Sequence, residues 1–130
     1  MRVRDVYNTI DEPLERDGTN LGLSPTETMM SALIGCTNVI SKKIAKKAGV
    51  TFGEMKIEMS YKFNRLGTLL MEQVDVPFDE VVLDINVETD GTPEQIDFIK
   101  HELEKYCPVA IVFRAAGMTI TENWSTRPLI

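Results

Sequence analysis

Two residues in this 130-residue chain could do redox chemistry, Cys36 and Cys107, and they are its only thiols. A thiolate can attack a peroxide oxygen or a disulfide, and a second thiol can close the resulting sulfenic acid into a disulfide. Free cysteine also packs as a small hydrophobe, and for Cys36 core packing is the competing reading. Cys107 stands directly before Pro108, an N-cap-like place where unpaired amides and the helix dipole favour thiolate. The two thiols can meet only if the fold brings their helices together. Two cysteines and the single histidine, His101, make no metal-ligand pattern. There is no glycine-rich phosphate loop and no Ser/His/Asp arrangement. Neither a metal nor a cofactor is expected.

Cys36 must be positioned by the stretch Ser24 to Gly49. Ser24-Pro25-Thr26-Glu27 combines an N-cap serine, proline at the first helical position and glutamate three residues after the cap. Met29 to Ile40 is apolar on nearly every side, the pattern of a buried helix. Lys42, Lys43, Lys46 and Lys47 then suit the negative end of the helix dipole, and Gly49 is a stop signal. The spacing predicts a helix over 25–48, about 36 Å long. Covering it on more than one side calls for a homodimer.

The remaining elements read as follows. Residues 2–10 form a strand, and 11–23 form a loop rich in turn chemistry. Met55, Ile57, Met59, Tyr61 and Phe63 alternate with polar residues, the cleanest period-two signal in the chain. Residues 64–79 carry no clear pattern; within them Leu66 to Met71 fit either a helical turn or a strand fragment, and Pro77 ends the stretch. Val81, Leu83, Ile85 and Val87 make another strand. Thr92-Pro93-Glu94-Gln95 repeats the helix start signal, with Ile96, Ile99, Leu103 and Tyr106 at helical spacing. Pro108 opens a further helix, and 118–124 close the chain as a strand. The order β-α-β-β-α-α-β, with antiparallel strands in the middle, is an α+β arrangement in a single domain over 1–130.

A net charge of −6 argues against nucleic acid or an anionic membrane as the main partner. No run approaches the about 18 apolar residues of a membrane span. The start, Met1-Arg2-Val3-Arg4-Asp5, has no apolar signal core, so a cytoplasmic protein is expected. His101, with Asp97 and Lys105, reads as a solvated helix face, the lysines 42–47 as a solvated helix end, and Met29, Met30, Met55 and Met59 as core.

Ser24-Pro25-Thr26-Glu27 followed by Ala32-Leu33-Ile34-Gly35-Cys36 resembles the signature of the OsmC/Ohr family. Cys107-Pro108-Val109 after an amphipathic helix resembles that family's second-cysteine motif. The resemblance runs from about residue 2 to the end. It implies an OsmC-like fold, a long central helix on an antiparallel sheet in an intertwined homodimer. It also implies that Cys36 is a peroxidatic thiol and that Cys107 resolves it as an intramolecular disulfide. The implied substrate is an organic hydroperoxide, and the implied reductant is a dithiol of the lipoyl type.

Family peroxidases support the thiolate with an arginine from an N-terminal hairpin, held by a glutamate directly after the helix-start proline. Here that position is Thr26, and Glu27 follows it. Glu27 is thus a candidate catalytic residue as well as half of a capping box. The chain reads as a short member that begins after the hairpin, with Arg2, Arg4, Arg16 and Arg114 as possible stand-ins for the arginine. Two functions are compatible with this pattern. One is a thiol-dependent hydroperoxide reductase. The other is a non-catalytic OsmC-like dimer that binds a small molecule or senses redox state. An unrelated α+β domain with a plain core cysteine is a third reading.

Overall fold

A computed structural model describes residues 1–130, which fall into two compact units, Met1–Gly35 and Cys36–Ile130. Helix α1, Pro25–Lys47, begins in the first and ends in the second.

In the first unit the expected strand over 2–10 is instead a hairpin, β1 (Arg2–Val3) paired antiparallel with β2 (Val6–Tyr7), so the expectation of a chain without an N-terminal hairpin is corrected. Arg4 makes the turn at a φ of 58°, and the Arg2 guanidinium lies 5.5 Å from the centre of the Tyr7 ring. The loop that follows is organised by Asp11. Its carboxylate accepts from the amides of Glu12, Thr19 and Leu21 and from the Thr19 hydroxyl. These bonds, the Thr19 hydroxyl first, hold Asp11 far below the usual carboxylate range. Gly18 is required there, because a Cβ would sit 1.9 Å from the Glu12 carbonyl oxygen.

The start of α1 is as expected. The Ser24 amide donates to the Glu27 carboxylate (2.8 Å) and the Glu27 amide to the Ser24 hydroxyl (3.2 Å), a reciprocal capping box. Met30 and Leu33 are buried, but Ala32, Gly35 and Val39 are exposed, so the helix is not covered all round within one chain. Two polar residues, Thr37 and Ser41, lie on its buried side.

In the second unit α1 ends at Gly49, whose φ of 76° lets the Val50 amide return to the Ala45 carbonyl (2.9 Å). Strands β3 (Phe52–Tyr61) and β4 (Glu80–Thr89) pair antiparallel, with Met55, Ile57 and Met59 opposite Val87, Ile85 and Leu83. The alternation in both sequences matches this register. β4 carries the buried face, with Val81, Leu83, Ile85 and Val87 all closed to solvent. Residues 62–79 are a loop with a turn at Leu66–Met71. It is tied down by Phe63 stacked on Phe78 at 4.7 Å, with Tyr61 edge-on to the same ring at 5.6 Å.

Helices α2 (Pro93–Tyr106) and α3 (Pro108–Ala115) then cross over to β5 (Thr119–Arg127). β5 runs parallel to β4, with Leu83 opposite Glu122 and Ile85 opposite Trp124. The three-stranded sheet is therefore mixed, not wholly antiparallel as expected. The physical reason is the two-helix connection, which carries the chain back to the end of the sheet where β4 began. The C-terminal part of α1 packs on α2 through Ala45, Val50, Ile96 and Ile99, flanked by Ile44, Ala48 and Phe52. No helix is long and apolar enough to cross a membrane.

Thr92 and Gln95 form the second capping box, in which the Gln95 amide donates to the Thr92 hydroxyl and the Thr92 amide to the Gln95 side chain. Thr92→Ala is expected to destabilise the protein by about 1 kcal/mol, read as a lower midpoint in urea with an unchanged slope.

Candidate active site

Helix α2 stops because Pro108 cannot continue it, and a residue before proline is driven out of the helical region. Cys107 accordingly adopts extended backbone, with φ −73° and ψ 104°. Its amide still donates to the Leu103 carbonyl and closes α2, while its carbonyl accepts from the Ile111 amide and opens α3. One residue thus ends one helix and begins the next.

The side chain at this break is almost fully buried, and its thiol donates to the sulfur of Cys36 on α1 across 3.0 Å. The two residues stand 71 positions apart in sequence. Both thiols are free. A disulfide needs about 2.05 Å between sulfurs, so a closure of about 1 Å separates this contact from a bond.

The two sulfurs differ in their surroundings. Cys36 is half-buried, whereas Cys107 is 1% exposed. Burial, and next the hydrogen bond with Cys36, push the Cys107 thiol up to about 11. The amides of Ala110 and Val109 at the start of α3 pull the other way and lose. The expectation that the N-cap-like position favours thiolate is therefore corrected. The amides are there, but desolvation outweighs them, and Cys107 is held as a protonated donor.

Glu27 lies in the first unit, engaged with Ser24 in the capping box. Those bonds lower its pKa, the Ser24 amide first, with a smaller contribution from the charge of Arg16. Arg16 is also bonded to Glu12 at 2.7 Å. Of the other arginines, Arg2 and Arg4 belong to the hairpin. Arg114 lines a cleft in the second unit with Lys100, Glu104, Glu122 and Trp124. The Trp124 indole donates to Glu122 (3.1 Å), and burial raises the Glu122 carboxyl. Ile120, Glu122 and Trp124 alternate on one side of β5, so the period-two rule contained this cleft although the sequence reading did not single it out.

His101 is exposed and bonded to the Asp97 carbonyl, on a polar helix face as read from the sequence. No group of three His, Cys, Asp or Glu side chains is arranged to hold a metal ion.

The model of the family described as OsmC-like protein matches residues 18–123. The chain belongs to the OsmC-like family. No curated protein matches it. Among solved structures, an OsmC-like protein from Mycoplasma pneumoniae is similar with a TM-score of 0.71 and 15% identity, over 88% of this chain and 77% of that one. An organic hydroperoxide resistance protein from Elizabethkingia anophelis gives 0.59 and 16%, over 92% and 79%. One from Bacillus subtilis gives 0.54 and 14%, over 83% and 73%. At these identities the likeness is one of fold, and the OsmC-like fold expected from the sequence is the one observed.

The buried thiol offers a direct check. In Cys36→Ser, alkylation of Cys107 by iodoacetamide is expected to stay slow through neutral pH and to rise only above the free-thiol range, because burial, the largest cause of the upward shift, remains when Cys36 is removed. The reason is that only the thiolate reacts and the folded environment disfavours it. A half-maximal rate near the free-thiol value of about 8.5 would contradict the burial argument.

Proposed function

We propose that this OsmC-like protein is a thiol-dependent peroxidase for organic hydroperoxides, with Cys36 as the attacking thiol and Cys107 as the resolving one. The observation that carries this reading is the 3.0 Å contact between two sulfurs so remote in sequence. The assignment of roles follows from their difference. Cys36 is the one that solvent and substrate can reach, and Cys107 is closed off and protonated.

In the first step the Cys36 thiolate bonds to the terminal oxygen of ROOH and the O–O bond breaks. The RO⁻ fragment takes up a proton and leaves as ROH, and Cys36 becomes a sulfenic acid. In the second step the Cys107 sulfur bonds to the Cys36 sulfur and the S–OH bond breaks. The hydroxide leaves as water with the proton from Cys107. The peroxide has gained two electrons and the thiol pair has lost two. An external dithiol restores both thiols by exchange and is itself oxidised to a disulfide. A buried resolving thiol beside the nascent sulfenic acid limits its over-oxidation, because it is in contact before the acid forms.

The working form in this reading is a homodimer. Support comes from Ala32, Gly35 and Val39, an exposed small and apolar face on a long helix. A Cβ at Gly35 would meet nothing within 4 Å in its own chain, so a close neighbour from a second copy is a natural reason for glycine there.

A second reading, a ligand-binding or redox-sensing dimer without turnover, is favoured by Thr26. It occupies the position after Pro25 where the family's peroxidases carry glutamate. That reading expects a small apolar molecule to travel with the purified protein, visible in native mass spectrometry.

Thiol titration separates the two. One equivalent of cumene hydroperoxide should remove both thiols per chain. Cys36→Ser should abolish turnover, and Cys107→Ser should stop after one equivalent, with a sulfenic acid that dimedone traps. Persistence of both thiols would rule out the peroxidase.

A further inference from the structure

Glu122 is an acid on the core side of a sheet. It stands opposite Leu83 of β4, and opposed side chains in a sheet share a face. Leu83 is fully buried, so that face is the one that covers the core. A carboxylate there is costly unless a partner offsets it. The other half-buried carboxylates all have one. Asp11 accepts from backbone amides, and Glu12, Glu88 and Glu102 each meet a cation. Glu122 meets none. Its Oε1 accepts from the Trp124 indole, and its Oε2, which is not buried, accepts from nothing in the chain.

A guanidinium is left over beside it. Arg114, in the last turn of α3, is half-buried and forms no ion pair, whereas Arg127, the other half-buried arginine, meets Glu54 and Glu88. Arg114 and Glu122 line one cleft between α2, α3 and β5. Burial raises the Glu122 carboxyl, and the Trp124 bond and the Arg114 charge oppose it. The remaining charges of the cleft are accounted for. Lys100 pairs with Asp97, His101 bonds the Asp97 carbonyl, and Glu104 is exposed. What is left is one cation, one anion and an apolar wall of Ile120 and Trp124 around a volume of about 200 Å³. At about 30 Å³ per water, that space suits a molecule the size of one amino acid. No residue of α1 lines it, so it lies apart from the helix face assigned above to a second copy.

We infer that this cleft binds a free amino acid with an apolar side chain, in its zwitterionic form. The ligand carboxylate meets the Arg114 guanidinium, whose fork of donors matches it. The ammonium meets Oε2 of Glu122 and the face of Trp124. The apolar side chain lies on Ile120. One ligand thereby supplies a partner for each of two charges that the fold keeps apart. A purely cationic or purely anionic molecule satisfies one of them and leaves the other unpaired. This site is separate from the thiol pair and does not depend on the peroxidase reading.

Trp124 is the only tryptophan in the chain, so its fluorescence reports on the cleft directly. The full chain is titrated with L-leucine, with N-acetyl-L-leucine, which lacks the ammonium, and with L-leucinamide, which lacks the carboxylate. Leucine should give a saturable change, with matching heat in calorimetry. It should bind about tenfold or more tighter than either analogue, because each analogue loses one charged hydrogen bond. Arg114→Gln should bring leucine down to the level of leucinamide. Glu122→Gln, which can still accept from the Trp124 indole, should bring it down to the level of N-acetyl-leucine. Arg65→Gln, which removes an equal charge from the loop after β3, should change nothing. The inference is overturned if the wild-type protein shows neither a fluorescence change nor heat with any of the three. Analogues that bind as tightly as leucine would overturn it too, as would leucine binding that survives both cleft variants.

Discussion

The arrangement of the second unit turns on a backbone constraint at one residue. Proline at 108 forbids helical backbone at Cys107 and removes a donor from the ladder, so one long helix becomes two. At the break, the side chain that an unbroken helix would carry round its own surface is aimed at α1. The sulfur–sulfur contact with Cys36 is the result. Burial of Leu103, Ala110 and Phe113 on either side keeps the break from relaxing. The chemistry of the pair follows, because the environment that fixes Cys107 also keeps it protonated.

The asymmetry between the two thiols has a physical logic. A sulfur that must meet substrate cannot be fully desolvated, and a sulfur that must only meet another sulfur can be. Here one fold supplies both environments 3.0 Å apart. The buried member holds its proton against two nearby helix amides, because burial, joined by the hydrogen bond with Cys36, outweighs them. Glu27 shows the reverse case. It is exposed, and its hydrogen bonds with Ser24 stabilise its charge.

Local signals were read well wherever a residue's neighbours in sequence are also its determinants. The box of Ser24 and Glu27, the prolines at 25, 93 and 108, and the stop at Gly49 mark helix limits within one residue for α1. The alternation from Met55 to Met59 reports the half-buried face of β3, and that from Val81 to Val87 the buried face of β4. What depends on distant chain was not legible. Two-residue strands such as Arg2–Val3 are too short to show a period, so the hairpin looks like one strand in the sequence. The direction of β5 is set by how α2 and α3 cross over, and no residue within 119–127 encodes it. The aromatic trio of Tyr61, Phe63 and Phe78 closes a loop whose ends lie far apart in sequence. For Cys107 the dipole was visible in the sequence, and the burial that overrules it was not.

The parallel pairing of β4 with β5 has a kinetic consequence. β3 and β4 are neighbours along the chain and can zip as a hairpin, but β5 meets β4 at a separation of 39 residues, as between Asp84 and Asn123. Loop closure over that span slows assembly. Until residues 119–127 arrive, the most apolar strand of the sheet keeps one edge bare, able to recruit a foreign strand. The protein is therefore most vulnerable to self-association late in synthesis, and loss of its last strand would make that vulnerability permanent.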